Sequence, residues 1–97
     1  MNMQNLMAQA RKIQGDMEKI TKEIENKEFE ATNNVVKITG NGKYEIIKVE
    51  ILDAGILTDK EILEDMISIV TNDLLKKIKT EKEEKLGKYT GGMGGLF

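Results

Sequence analysis

The spacing of hydrophobic positions changes period twice along the chain. Met3, Leu6, Ala10, Ile13, Met17, Ile20 and Ile24 step alternately by three and four residues. This is an a/d heptad seam, and it predicts one helix from residue 3 to about residue 26, roughly 36 Å long. A strict 3.5-residue period suits a seam against another helix, either this chain's own C-terminal helix or a second copy. The period then becomes two. Phe29 and Ala31 alternate with Glu28 and Glu30, Val36 and Ile38 with Lys37 and Thr39, and Ile47, Val49 and Ile51 with Lys48 and Glu50. Asn33-Asn34 marks the first turn, and Gly40-Asn41-Gly42-Lys43 predicts a type I′ hairpin centred on Asn-Gly. The result is a three-stranded antiparallel meander with one apolar face, which needs a covering layer.

Asp53-Ala54-Gly55 ends the sheet. Thr58 and Glu61 are spaced as a capping box, with Thr58 as N-cap of a second helix. That helix carries Ile62, Leu63, Met66, Ile67, Ile69, Val70 and Leu74, an apolar face about half its circumference wide. After Ile78 the apolar residues stop, and 79–85 are Lys, Thr and Glu only. This stretch is expected to project into solvent as far as Gly87, a natural helix stop. The predicted fold is α+β in the order α-β-β-β-α, a three-stranded meander between two long helices. Residues 1–88 form one domain, and 89–97 a glycine-rich tail expected to be mobile. Two long helices carry more apolar surface than one small meander covers, and a homodimer buries the surplus.

Composition removes whole classes of chemistry. The 97 residues include no cysteine and no histidine, and Ser68 is the only serine. Thiol nucleophiles, thiolate metal sites and Ser/His or Cys/His catalysis are therefore excluded. The expectation is no enzyme, no cofactor, no metal and no small-molecule substrate. Glu61, Glu64 and Asp65 lie together but read as first-turn acids that complement the helix dipole. No apolar run approaches a membrane span, and the polar N-terminus lacks the apolar block of a secretory signal, so a cytosolic location is expected.

Charge is nearly balanced, at −2 overall, but it is segregated. Residues 44–65 hold seven acids and two lysines, whereas 76–88 hold six lysines and three glutamates. The basic stretch is either a solvated helix end or a strip that contacts phosphates. A phosphate strip requires further basic groups, which Arg11, Lys12, Lys19 and Lys22 of the first helix supply. Arg11 is the only arginine, which favours sequence-tolerant lysine–phosphate attraction over bidentate base reading. With aromatics at 4%, RNA recognition by base stacking is disfavoured.

Four stretches carry a family resemblance: MNMQNLMAQARKIQGDMEKI at 1–20, NGKYEIIKVEI at 41–51, NDLLKK at 72–77 and KLGKYTGG at 85–92. Together they resemble the YbaB/EbfC nucleoid-associated proteins of bacteria, in the same order and over nearly the whole chain. The resemblance implies a cytoplasmic, nucleoid-associated homodimer whose projecting helical arms bind duplex DNA without catalysis. It places the DNA contact by region on Arg11, Lys12, Lys19 and Lys22 of the first helix. On the C-terminal arm the matching residues are Lys76, Lys77, Lys79, Lys82, Lys85 and Lys88. The alternative is a protein-interaction scaffold with incidental DNA affinity.

Overall fold

The computed structural model describes residues 2–90. Helix α1 spans Met3–Glu25. Asn2 caps it, its side chain accepting from the Gln4 N–H at 2.9 Å. Strands β1 (Glu28–Thr32), β2 (Val36–Asn41) and β3 (Ile46–Ile51) form an antiparallel sheet in the order β1-β2-β3. Helix α2 runs over Lys60–Thr90. The order α-β-β-β-α is the one the periodicity predicts.

The first turn is closed by Asn33, whose Oδ1 accepts from the N–H groups of Val35 and Val36 at 2.8 and 2.9 Å. The second turn differs from the expected type I′. Asn41 and Glu45 flank a three-residue loop, with the Tyr44 N–H donating to the Asn41 carbonyl at 3.0 Å. Tyr44, not Gly42, takes the left-handed conformation, with φ at 63°. Such loops pair a type I turn with one left-handed residue. The Asn41 side chain organises the loop by accepting from the Lys43 N–H at 2.8 Å and donating to Glu45 Oε1 at 2.8 Å. Gly42 is required for a different reason: a Cβ there would collide with the Ile24 carbonyl at the end of α1. The hairpin is wedged under the helix, so the glycine serves tertiary contact rather than turn geometry.

The start of α2 also differs by one residue. Asp59, not Thr58, is the cap, its side chain accepting from the Ile62 N–H at 3.2 Å. Thr58 instead ends a 3₁₀ turn over Ala54–Thr58, its hydroxyl donating to the Gly55 carbonyl at 3.0 Å. At the other end, α2 continues through Gly87 to Thr90. The residues after it, where the expected mobile tail falls, lie outside the described residues.

The core is one layer deep. Phe29, Ala31, Val36 and Ile38 on one sheet face meet Val70, Leu74 and Ile78 of α2, and Ile24 of α1 joins them. Leu86 is also buried in this cluster. Residues 79–86 therefore do not project into solvent as the polar run predicts. They lie along α1, with Met17, Ile20 and Tyr89 packed at the margin. Helix α2 packs on β1, β2 and α1 to similar extents. The molecule is accordingly elongated, 69 Å along its longest axis and 15 Å along its shortest.

Candidate nucleic-acid interface

The basic groups of the two helices are placed differently. On α1, Arg11, Lys12, Lys19 and Lys22 are all exposed. At 100° per residue they share an arc of about 100°, opposite the a/d seam. From Asn2 to Gly15 the chain has no acidic residue, so Arg11 and Lys12 are the only charged side chains of the outer half of α1. Glu18 and Glu25 lie on the same side nearer the sheet, within about 40° of Arg11.

On α2 the six lysines do not form one strip. Lys77 and Lys79 point about 160° apart, and Lys76 and Lys82 about 120° apart. Their surroundings differ as well. Lys77 Nζ donates to the Glu30 carbonyl on the outer edge of β1 at 2.9 Å. Lys82 is half-buried with its ammonium 4.2 Å from the centre of the Tyr44 ring, a cation–π contact. Lys88 lies over the Tyr89 ring at 4.9 Å. Lys79 and Lys85 pair with Glu83 and Glu81 at 4.0 and 3.7 Å. These last two pairs are long and involve exposed lysines, so they are worth little and open to competition from a phosphate. Lys76 is exposed and lines an open groove of about 560 Å³ beside Phe29, Asp73 and Glu84.

Two cations missing from the sequence-based set are structural. Lys27 binds Glu81 Oε1 at 2.6 Å, joining the α1–β1 corner to α2, and stands 5.3 Å from the Phe29 ring centre. Lys37 pairs with Glu30 across the β1–β2 ladder at 3.2 Å. The Glu30 hydrogen bond, then the charges of Glu30 and Glu50, hold its ammonium above the usual lysine range. The Lys27 contact is not visible in the sequence, since 54 residues separate it from Glu81.

The inner face of β3 is left largely uncovered. Val49 and Ile51 lie opposite Ile38 and Val36 in the ladder and so share the core face. They are nevertheless 48% and 43% exposed. Ile46 and Ile47 are both exposed at the bulge where the register shifts, and beyond the strand Leu52 and Leu57 are exposed as well. Among the described residues no cluster of His, Cys, Asp or Glu is suited to a metal ion, and no helix is long and apolar enough to cross a membrane.

Comparison with known proteins agrees with this architecture. A protein from Clostridium acetobutylicum named a nucleoid-associated protein is 45% identical, covering 95% of this chain and 85% of its own length. One of the same description from Enterococcus faecalis is 42% identical over 98% of this chain and 94% of its own. The crystal structure of an uncharacterized Helicobacter pylori protein superposes with a TM-score of 0.77. It covers 94% of this chain and 99% of that one at 17% identity, and so shares the fold. The model of the YbaB/EbfC DNA-binding family matches residues 1–93, and the chain belongs to that family.

Proposed function

We propose that this chain is a non-enzymatic, nucleoid-associated protein of the cytoplasm that binds duplex DNA as a homodimer, through phosphate contacts. The observation that carries the reading is the outer face of α1, where Arg11, Lys12, Lys19 and Lys22 are all exposed on one arc. Lys76, Lys79, Lys85 and Lys88 of α2 add exposed charge, while Lys77 and Lys82 act mainly within the fold. Lysine–phosphate attraction releases counterions and is tolerant of sequence. Any sequence preference then arises from DNA shape and the spacing of the two protomers' helices.

A second copy accounts for the uncovered strand. Among the described residues, the outer edge of β3 is unpaired and carries an exposed apolar face, a combination that invites pairing with another chain. In a dimer built there the cationic arc of α1 appears twice, and phosphates meet those arcs rather than the overall charge. The net charge of −2 per chain is the observation favouring the alternative, a protein-interaction module with incidental DNA affinity.

The test is a fluorescence-anisotropy titration on several unrelated duplexes at two salt concentrations. The parent is compared with a variant in which Arg11, Lys12, Lys19 and Lys22 are glutamine. Each phosphate neutralised by one of these cations contributes about 0.9 to the slope of log K against log salt, and the variant forfeits that contribution. A weaker, flatter response, similar across the duplexes, supports the reading. Equal affinity at both salts removes α1 from the interface, and no binding by the parent favours the scaffold.

A further inference from the structure

Among the described residues, the a/d seam of α1 is covered along only half its length. Met17, Ile20 and Ile24 pack toward α2 and the core. Met3, Leu6, Met7 and Ile13 are 73%, 42%, 53% and 45% exposed, and Ala10 between them is exposed too. The described part of α2 ends at Thr90, and Tyr89 shares a shallow cleft with Asp16 and Ile20. The open half of the seam, from Met3 to Ile13, is about 15 Å of helix. Its alternating steps of three and four residues are the pattern that receives another helix, knob into hole.

The distribution of charge selects which helix fits. The positions flanking the open seam are Asn2, Met7, Gln9 and Gln14, and none of them is charged. Arg11 and Lys12 lie outside those flanks, on the far side of the helix. A second copy of α1 therefore meets no like charge across the contact. The seam is also self-complementary in the antiparallel sense, in which an a position packs against a d position. With a twofold axis at residue 8, Met3 of one copy meets Ile13 of the other, and Leu6 meets Ala10, a large side chain against a small one. Met7 then lies beside its own counterpart on one flank of the axis, and Gln9 beside its own on the other. The Asn2 cap of the second copy comes level with Gln14, just short of the cleft that holds Tyr89, so the second helix does not compete with α2.

We infer that the N-terminal halves of α1 from two copies of this chain pair antiparallel through the open seam, in the register Met3 to Ile13 and Leu6 to Ala10. A patch about 15 Å long on a helix about 10 Å wide is far smaller than the roughly 800 Å² that each partner buries in a standard interface. The contact is therefore weak and reversible, and it is a second self-contact, separate from the surface on β3. It leaves Arg11 and Lys12 of both copies pointing away from the axis, so the cationic arcs stay exposed on the two outer sides of the pair. The pairing rests on neither DNA binding nor the β3 dimer, and its test contains no DNA.

The chain has no cysteine, so cross-linking can read the register directly. Full-length Met3→Cys and Ile13→Cys proteins are mixed in equal amounts at high concentration and oxidised mildly. The mixed disulfide should exceed either like-with-like disulfide by about tenfold, as the higher effective concentration of paired thiols requires. Statistical proportions of the three products would mean no fixed register, and an excess of like pairs a parallel one. Absence of interchain bonds would mean a seam left bare or covered from within its own chain. Each of these overturns the inference. The readout is which residues join, so it stands whether or not β3 also forms a dimer. A second measurement leaves the seam itself intact. Gln9 is exposed and faces its own counterpart in the pair. Gln9→Glu alone and Gln9→Lys alone should each weaken the concentration-dependent rise in mass, read by sedimentation equilibrium at low salt, by about twofold to fivefold. An equal mixture of the two variants should restore it, because opposite charges then meet. Unchanged association in the single variants, or a mixture no tighter than either alone, also overturns the inference.

Discussion

Lys77 Nζ donates to the main-chain carbonyl of Glu30 at 2.9 Å, joining two residues 47 positions apart. Glu30 is on β1, an edge strand, and that carbonyl points away from β2. A lysine therefore occupies a hydrogen-bonding site that another strand would otherwise use, a recognised way to protect a sheet edge. The β3 edge has no such guard among the described contacts.

Lys77 should accordingly behave unlike its neighbours. Lys77→Gln should change DNA affinity less than Lys76→Gln or Lys79→Gln, as measured by anisotropy, because its ammonium is already engaged. Lys77→Ala should cost about 0.5–1.5 kcal/mol in urea denaturation. It should also raise concentration-dependent self-association in light scattering.

Acids beside the cationic arc of α1 should oppose binding. Glu18→Gln combined with Glu25→Gln should tighten DNA affinity about twofold to fivefold at low salt, in line with exposed charge interactions of about 0.2–1 kcal/mol. The gain should shrink at high salt, where exposed charges are screened. An unchanged affinity at low salt would show that this arc does not face DNA.

Self-association through β3 predicts a specific change in mass. Val49→Asp places a charge on the exposed inner face of the strand, and the far-ultraviolet circular dichroism should stay near that of the parent. The mass by light scattering should fall from about twice 10.9 kDa to 10.9 kDa. A parent of 10.9 kDa at micromolar concentration, or a variant that keeps the dimer mass, would argue against this interface.

The seam should divide energetically. Ile24 is 1% exposed, and Ile24→Ala should cost about 2–5 kcal/mol, the range for a truncated core side chain. Ile13 is half-exposed, so Ile13→Ala should cost less, under about 1.5 kcal/mol. Urea denaturation of both variants measures the difference.

Two glycines should respond in opposite directions to alanine. Gly15 lies mid-helix with open space where a methyl group would sit, and Gly15→Ala should stabilise by about 0.5–1 kcal/mol. Gly42→Ala drives a methyl group into the Ile24 carbonyl and should lower the melting temperature by several degrees.

The sequence alone determined the elements and their order, because local periodicity is an intrinsic property of a helix or a strand. The 3–4 step specified α1, the period of two specified the sheet, and the absence of cysteine and histidine removed most enzyme chemistries. Four motifs in order carried the family. Tertiary structure decided the contacts between distant parts of the chain. Asn-Gly at 41–42 reads as a type I′ turn, yet the glycine is needed where the hairpin meets α1, a contact that no local pattern encodes. The polar run after Ile78 reads as solvent-exposed, yet Leu86 is buried because α1 returns alongside it. Likewise, six lysines clustered in sequence are dispersed by the helical rotation of 100° per residue, and Glu30, Tyr44 and Glu81 engage some of them across the fold. Sequence spacing specifies which face of an element a residue occupies. Only the packing of those elements determines what that face meets.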